Sequence, residues 1–206
     1  MEHGEKFNTY SHLAGTLLAL VGSVLLIVLG ALSGDVWKIV SFSIYGATLV
    51  LLYSFSTLYH NATRGMAKVM LQKLDHNAIY LLIAGSYTPF TLVSLHGPWG
   101  WSLFGVVWGL ALLGISQEIW LKKKTRWVSL VIYILMGWVA LAALVPLVTA
   151  LSWSGFAWLV AGGLAYTIGI IFFVYDDKFI HWHGIWHLFV LAGSGLHYCA
   201  ILFYVA

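Results

Sequence analysis

Apolar stretches of membrane-crossing length alternate with short polar breaks along nearly the whole chain, and seven such stretches can be marked out: residues 10–32, 37–60, 74–95, 99–120, 127–148, 155–175 and 183–206. A bilayer core is about 30 Å thick, so a helix rising 1.5 Å per residue needs about 20 apolar residues to cross it. Each stretch therefore predicts a spanning helix. The first is too long for a signal-peptide core and lacks a basic leader, so it reads as a retained helix. The third carries Pro89, whose missing N–H predicts a kink. The connections are short, which predicts antiparallel neighbours in one bundle and one domain over residues 1–206. The longest connection, residues 61–73, mixes Arg64, Lys68 and Lys73 with Met66, Val69 and Met70, and predicts a short interfacial turn of helix. The expected fold class is all-α: a polytopic seven-helix transmembrane bundle.

Charge orients that bundle. With seven crossings, the amino terminus shares a side with the loops after the second, fourth and sixth helices. That side holds Lys6, Arg64, Lys68, Lys73, Lys122, Lys123, Lys124, Arg126 and Lys178, and the other holds only Lys38. The bias predicts a cytoplasmic amino terminus and an outside carboxyl terminus in a multi-pass protein of the cell membrane. Composition agrees: 61% of the 206 residues are hydrophobic, only 8% are charged, and the mean hydropathy is +0.91. Trp37, Trp99, Trp120, Trp127, Trp153 and Trp182 sit near the predicted boundaries, as an interfacial belt requires. Gly162, Gly163, Gly193 and Gly195 are expected to let helices approach closely. A formal net charge of +3, spread over short loops, is not a nucleic-acid signature. Cys199 is the sole cysteine, so no internal disulfide is possible.

Against this apolar background, ionisable residues inside spans default to function. His60 ends the second span with Ser56 one turn deeper, Asp75 begins the third, and His183 and His187 begin the seventh. Residues four apart share a helix face. The topology puts all five at the cytoplasmic end, so three imidazoles from two helices can converge at one depth. Three protein nitrogens plus a solvent position is the pattern of a catalytic zinc site. Copper, nickel and iron also suit such ligands. Zinc would make water a nucleophile near neutral pH. Asp75 is then a candidate to accept a proton from that water, to hold it, or to ligate directly. Ser56 is a candidate to orient the water or to stabilise a developing oxyanion.

Other polar residues give weaker signals. Glu5, Asn8 and His12 form a ladder where the first span begins, able either to brace the site or to cap the helix. His183, His187, Ser194 and His197 are expected to form a stripe down the last span, with His197 in a cavity under the metal. Glu118 is expected to pair with the Lys122–Lys124 run. His3, His96 and His181 read as solvated loop residues, and His76 as a headgroup contact.

These residues, in this order, resemble the hemolysin III family, the bacterial branch related to progestin and adipoQ receptors such as the adiponectin receptors. The marks are Glu5-x-x-Asn8-x-x-x-His12, Ser56-Thr-Leu-Tyr-His60, Asp75-His-Asn-Ala-Ile-Tyr with Ala-Gly-Ser-Tyr-Thr-Pro89, and His183-Gly-Ile-Trp-His187. The resemblance implies a seven-span fold with a cytoplasmic amino terminus. It also implies zinc held by His60, His183 and His187, with Ser56 and Asp75 close by. It points to three functions. The first is a zinc-dependent hydrolase of a lipid amide or ester. The second is a receptor-like sensor or regulator of membrane state with structural zinc. The third is the cytolytic pore for which the family is named. The few charged residues in the spans argue against a wide channel within one chain. The long amino-terminal region of the hormone receptors is not seen, so hormone binding is not carried over. The expected partners are the bilayer and a lipid substrate or ligand, with no nucleic acid.

Overall fold

The computed structural model describes residues 4–120 and 126–206. Its α-helices are α1 (Glu5–Ser33), α2 (Val36–Asn61), α3 (Met66–Pro89), α4 (Pro98–Trp120), α5 (Arg126–Trp138), α6 (Leu144–Val174) and α7 (Trp182–Tyr204). All the regular structure among the described residues is helical. Among these residues, five helical stretches are long and apolar enough to cross a membrane: Glu5–Ser33, Val36–Asn61, Pro98–Trp120, Arg126–Val174 and Trp182–Tyr204. α3 is not one of the five, because Gln72, Lys73, Asp75, His76 and Asn77 dilute its first half. The seven stretches of the sequence reading thus reduce to five by length and composition.

Local chemistry explains the breaks. Between α1 and α2, Gly34 takes a left-handed φ of 70° and its N–H closes α1 on the Ala31 carbonyl. Asp35 then caps α2, its Oδ1 accepting from the Trp37 N–H at 2.8 Å. Pro89 cannot donate to the preceding turn, and there the α-helix gives way to one π-helical turn, Phe90–Ser94. α5 tightens into a 3-10 segment, Val139–Ala143, before α6 resumes. The Tyr87 side chain serves that joint: its hydroxyl donates to the Gly137 carbonyl at 2.8 Å and accepts from the Ala140 N–H at 3.1 Å. Inside α6, Ser152 leaves helical geometry altogether (φ 60°, ψ 169°). The expected 61–73 linker is shorter than predicted, because α3 already begins at Met66; Met66, Val69 and Met70 lie exposed on its first turns.

Packing is sequential, α1 on α2, α2 on α3, α3 on α4 and α6 on α7, and α7 also closes against α1. The main core joins Leu26, Phe42, Tyr45, Leu49, Leu52, Leu151 and Ile201, among others. A Cβ on Gly162 or Gly193 would overlap His197 or Tyr166, so these two glycines do permit close approach, whereas Gly163 and Gly195 face open space. The bundle has two distinct ends. Glu5, His60, Lys68, Arg126, Asp176 and His183 contact one another at one end. Trp37, His96 and Trp101 cluster at the other. Arg126 and Phe173 touch at the first end, so the long Arg126–Val174 stretch folds back on itself.

Candidate metal centre

Each imidazole at the first end is aimed by an oxygen atom behind it. His60, on the last turn of α2, has its Nδ1 2.6 Å from Glu5 Oε2 on α1. His183, on the first turn of α7, has its Nδ1 2.6 Å from Asp176 Oδ2. An ionised carboxylate only accepts, so each Nδ1 carries the proton. The tautomer is thereby set, and each Nε2 presents a lone pair. The two Nε2 atoms face each other at 3.3 Å. Two lone pairs at that distance repel unless a cation lies between them. Zinc–imidazole bonds of about 2.0–2.1 Å in a tetrahedral site put nitrogens roughly 3.3 Å apart. The third ring, His187, is buried one turn further along α7, and one ligand atom from each of the three histidines lies within 4.8 Å of the others. The donor set fits a divalent ion after a small closure by His187.

The braces were partly legible in the sequence. Glu5 holds His60, and its other oxygen accepts from Lys68 Nζ at 3.3 Å. Asn8 offers its backbone carbonyl, as any residue would, to the Ser11 hydroxyl at 3.0 Å, and that hydroxyl lies 3.4 Å from His187 Nδ1. His12 is buried and stacks on His187 with ring centres 3.7 Å apart, against the edge of Tyr53. Asp176, Arg126 and Ser11 were missed. Asp176 lies in the α6–α7 turn and Arg126 at a helix start, so no helical spacing links either to the histidines. A carboxylate shortly before an HxxxH pair was the one available clue. Burial raises the Asp176 pKa, but hydrogen bonds from His183 and Arg126 outweigh it and hold the carboxyl below its usual range.

Beside the imidazoles, the buried Ser56 hydroxyl lies against the Asp75 carboxylate. Ser56, Asp75, His60, His183 and His187 line a cavity of about 1170 Å³, together with Glu5, Asn8 and His12. A polar wall of Gln117, Ser129 and Tyr133 also borders it. His76 lines the same cavity, where only headgroup contact was expected.

Two expected cavity residues lie elsewhere. The Ser194 hydroxyl accepts from Tyr53 at 2.7 Å, lies 2.7 Å from the Tyr166 hydroxyl, and ties α2, α6 and α7 together. His197 Nε2 donates to the Leu159 carbonyl at 3.1 Å, and the ring lines a separate crevice of about 50 Å³. The expected stripe drifts: ten residues past His187 is a rotation of roughly −80° at 100° per residue, which turns His197 onto α6. Glu118 accepts from Ser129 on α5 and from Gln117, its own neighbour on α4. Its expected partners Lys122–Lys124, like His3, lie outside the described residues. His96 is exposed, as expected, but its Nδ1 bonds to the Leu92 carbonyl at 2.9 Å.

Known proteins match this chain over almost its whole length. The family described as Haemolysin-III related matches residues 1–198. "Hemolysin-3" of Bacillus cereus is 42% identical over 198 residues, covering 96% of this chain and 90% of that protein. "Hemolysin-3 homolog" of Bacillus subtilis is 44% identical over 197 residues, covering 96% and 92%. The human "Monocyte to macrophage differentiation factor" is 34% identical over 206 residues, covering 96% and 83%. With several helices able to cross a membrane and a three-histidine site at one end of its bundle, the chain belongs to the haemolysin-III related family of membrane proteins.

Proposed function

We propose that this protein crosses the membrane seven times, holds zinc at His60, His183 and His187 near the cytoplasmic face, and hydrolyses a lipid amide or ester. Two considerations raise five apolar stretches to seven crossings. The Arg126–Val174 stretch would be about 74 Å long as one helix, more than twice the bilayer core. It folds back through the break at Ser152 and so supplies two crossings. α3 packs between α2 and α4 and turns Asp75 and His76 to the inner cavity, so it crosses without the hydropathy of a lipid-facing span. The described Lys6, Lys68 and Arg126 gather at the histidine end, which supports a cytoplasmic site.

The observation that carries the reading is the facing pair of His60 and His183 lone pairs, each fixed by a carboxylate behind it. When bound, zinc supplies Lewis acidity and makes water nucleophilic near neutral pH. The chain's own groups do the rest. Asp75 accepts a proton from the attacking water and returns it to the departing amine or alkoxide as the acyl C–N or C–O bond breaks. Ser56 donates to Asp75 beforehand and, once Asp75 is protonated, turns its one proton to the oxygen that gains charge. The cavity receives the polar end of the lipid. The test is metal analysis of purified protein together with incubation against amide and ester lipids. Fatty-acid release should depend on metal and disappear in His187→Ala. Release should also disappear in Asp75→Asn, with the metal retained. A fully metallated protein that turns over no lipid sinks the hydrolase.

One observation favours a second reading, a sensor with structural zinc. The site ties α1, α2 and α7 to one another, through Glu5 to His60 and His12 to His187. That reading expects chelation to lower the melting temperature strongly and lipid hydrolysis to be absent.

A further inference from the structure

The two facing imidazoles share an arrangement that extends one residue further than their carboxylates. Behind His60 stands Glu5, and behind Glu5 stands Lys68 at 3.3 Å. Behind His183 stands Asp176, and behind Asp176 stands Arg126, whose Nη2 donates to Oδ1 at 2.8 Å. Each line therefore runs cation, carboxylate, imidazole. The two cations are not equivalent. Lys68 makes one hydrogen bond to Glu5 and a looser approach to the Tyr59 ring, 5.4 Å from its centre, from a flexible stem. Arg126 is fixed on several sides: Nη1 donates to Asp177 Oδ2 at 3.2 Å, Nη2 also donates to the Phe173 carbonyl, and the guanidinium lies 3.9 Å over the Phe173 ring. All these contacts fall within residues 173–177, at the end of α6 and the turn into α7.

We propose that Arg126 is a positioning residue for the metal site: from the start of α5 it locks the Asp176 carboxylate in the rotamer that aims His183. The planar fork suits this task, because it grips one carboxylate oxygen while leaving the other for the imidazole. A carboxylate free to rotate would release the Nδ1–H and let His183 turn its Nε2 away from His60. The inference has a mechanical consequence. α5 contributes no ligand, yet its first residue holds one, so a displacement of α5 relative to the α6–α7 turn changes metal affinity. Outer-shell partners of metal-bound histidines commonly contribute 10–100-fold in affinity.

The proposal rests on the metal site proposed above, and the test separates the two. Purified wild type, His187→Ala, Arg126→Gln, Arg126→Lys and Lys178→Ala are titrated with cobalt(II), read by its visible spectrum and by competition with a chelator. Wild type binds one ion and His187→Ala does not; a wild type that takes up none overturns the site itself and this assignment with it. Given binding, Arg126→Gln weakens cobalt roughly 10–100-fold and shifts the visible bands. Arg126→Lys restores part of the affinity but not the wild-type spectrum. Lys178→Ala removes a charge from the same turn without touching Asp176, and binds as wild type does. Wild-type affinity and spectrum in Arg126→Gln overturn the proposal, as does a loss in Lys178→Ala equal to that in Arg126→Gln. Should Arg126→Gln not fold, Asp176→Asn carries the same expectation for the spectrum.

Discussion

Replacing one carboxylate by its amide separates aiming from ligation. Glu5→Gln keeps the volume behind His60 but exchanges an obligate acceptor for a group that can also donate, so the Nδ1 proton is no longer enforced. Zinc affinity should fall about 10–100-fold with the helix content unchanged, read by chelator competition and circular dichroism. Asp176 permits a pH prediction on metal-free protein. Its folded pKa lies below the ordinary carboxylate value, so its contribution to stability is complete above that value and is lost as pH falls through the lowered one. Metal-free wild type should therefore lose melting temperature in acid more steeply than metal-free Asp176→Asn. Equal slopes would mean that the His183 and Arg126 contacts stabilise nothing. At this scale the histidines, Asp75, Ser56 and Glu5 were legible because four-residue spacing and span ends gave them a common face and depth. Asp176 and Arg126 were not, because their proximity to His183 comes from a turn and from the return of a hairpin.

Breaks in the helices do as much as the helices to set the shape. The α5-to-3-10 joint leaves backbone groups without helical partners, and one hydroxyl on α3 serves both the Gly137 carbonyl and the Ala140 N–H. Tyr87→Phe removes it and should cost ~1–3 kcal/mol. The joint is far along the bundle from the histidines, so zinc affinity should not change; a melting curve and a metal titration on the same sample read both quantities. Gly100 makes a complementary case. A Cβ there would overlap the carbonyl oxygens of Thr91, in the π-helical turn, and of Leu95, just after it, both fixed backbone, so α4 packs on that turn only through glycine. Pro89 pointed to an irregularity in the third stretch, since a missing N–H is visible in a sequence. The glycine contacts were read less well. Gly162 and Gly193 do meet aromatic or imidazole rings, but Gly163 and Gly195 do not. Whether a glycine is needed depends on the rotation of its neighbour, which no local pattern encodes.

For the whole molecule, the arrangement requires that the Arg126–Val174 stretch start and finish at the histidine end. Arg126 bonds the Phe173 carbonyl and Asp176, while Gly155, just past the break, packs against Tyr204 at the far end of α7. Ser152 adopts a left-handed φ, rare for a residue with a side chain, at the point where the chain must reverse. The sequence reading placed a break between residues 148 and 155, and the irregular backbone lies within it. Thr149, Ser152 and Ser154 interrupt the apolar pattern there, although Arg126–Val174 as a whole stays apolar enough to count as one stretch. The consequence for topology is sharp. In a Cys199→Ser background, a cysteine at Ser154 should react with a membrane-impermeant maleimide on intact cells, and one at Lys178 only after lysis. Both sites have flanking residues that are exposed in the fold, Trp153 on one side and Phe179 on the other. Labelling of both from outside, or of neither before lysis, would put the two ends of the proposed sixth crossing on one side of the membrane. Labelling at Lys178 on intact cells, with or without labelling at Ser154, would put the histidine site away from the cytoplasm.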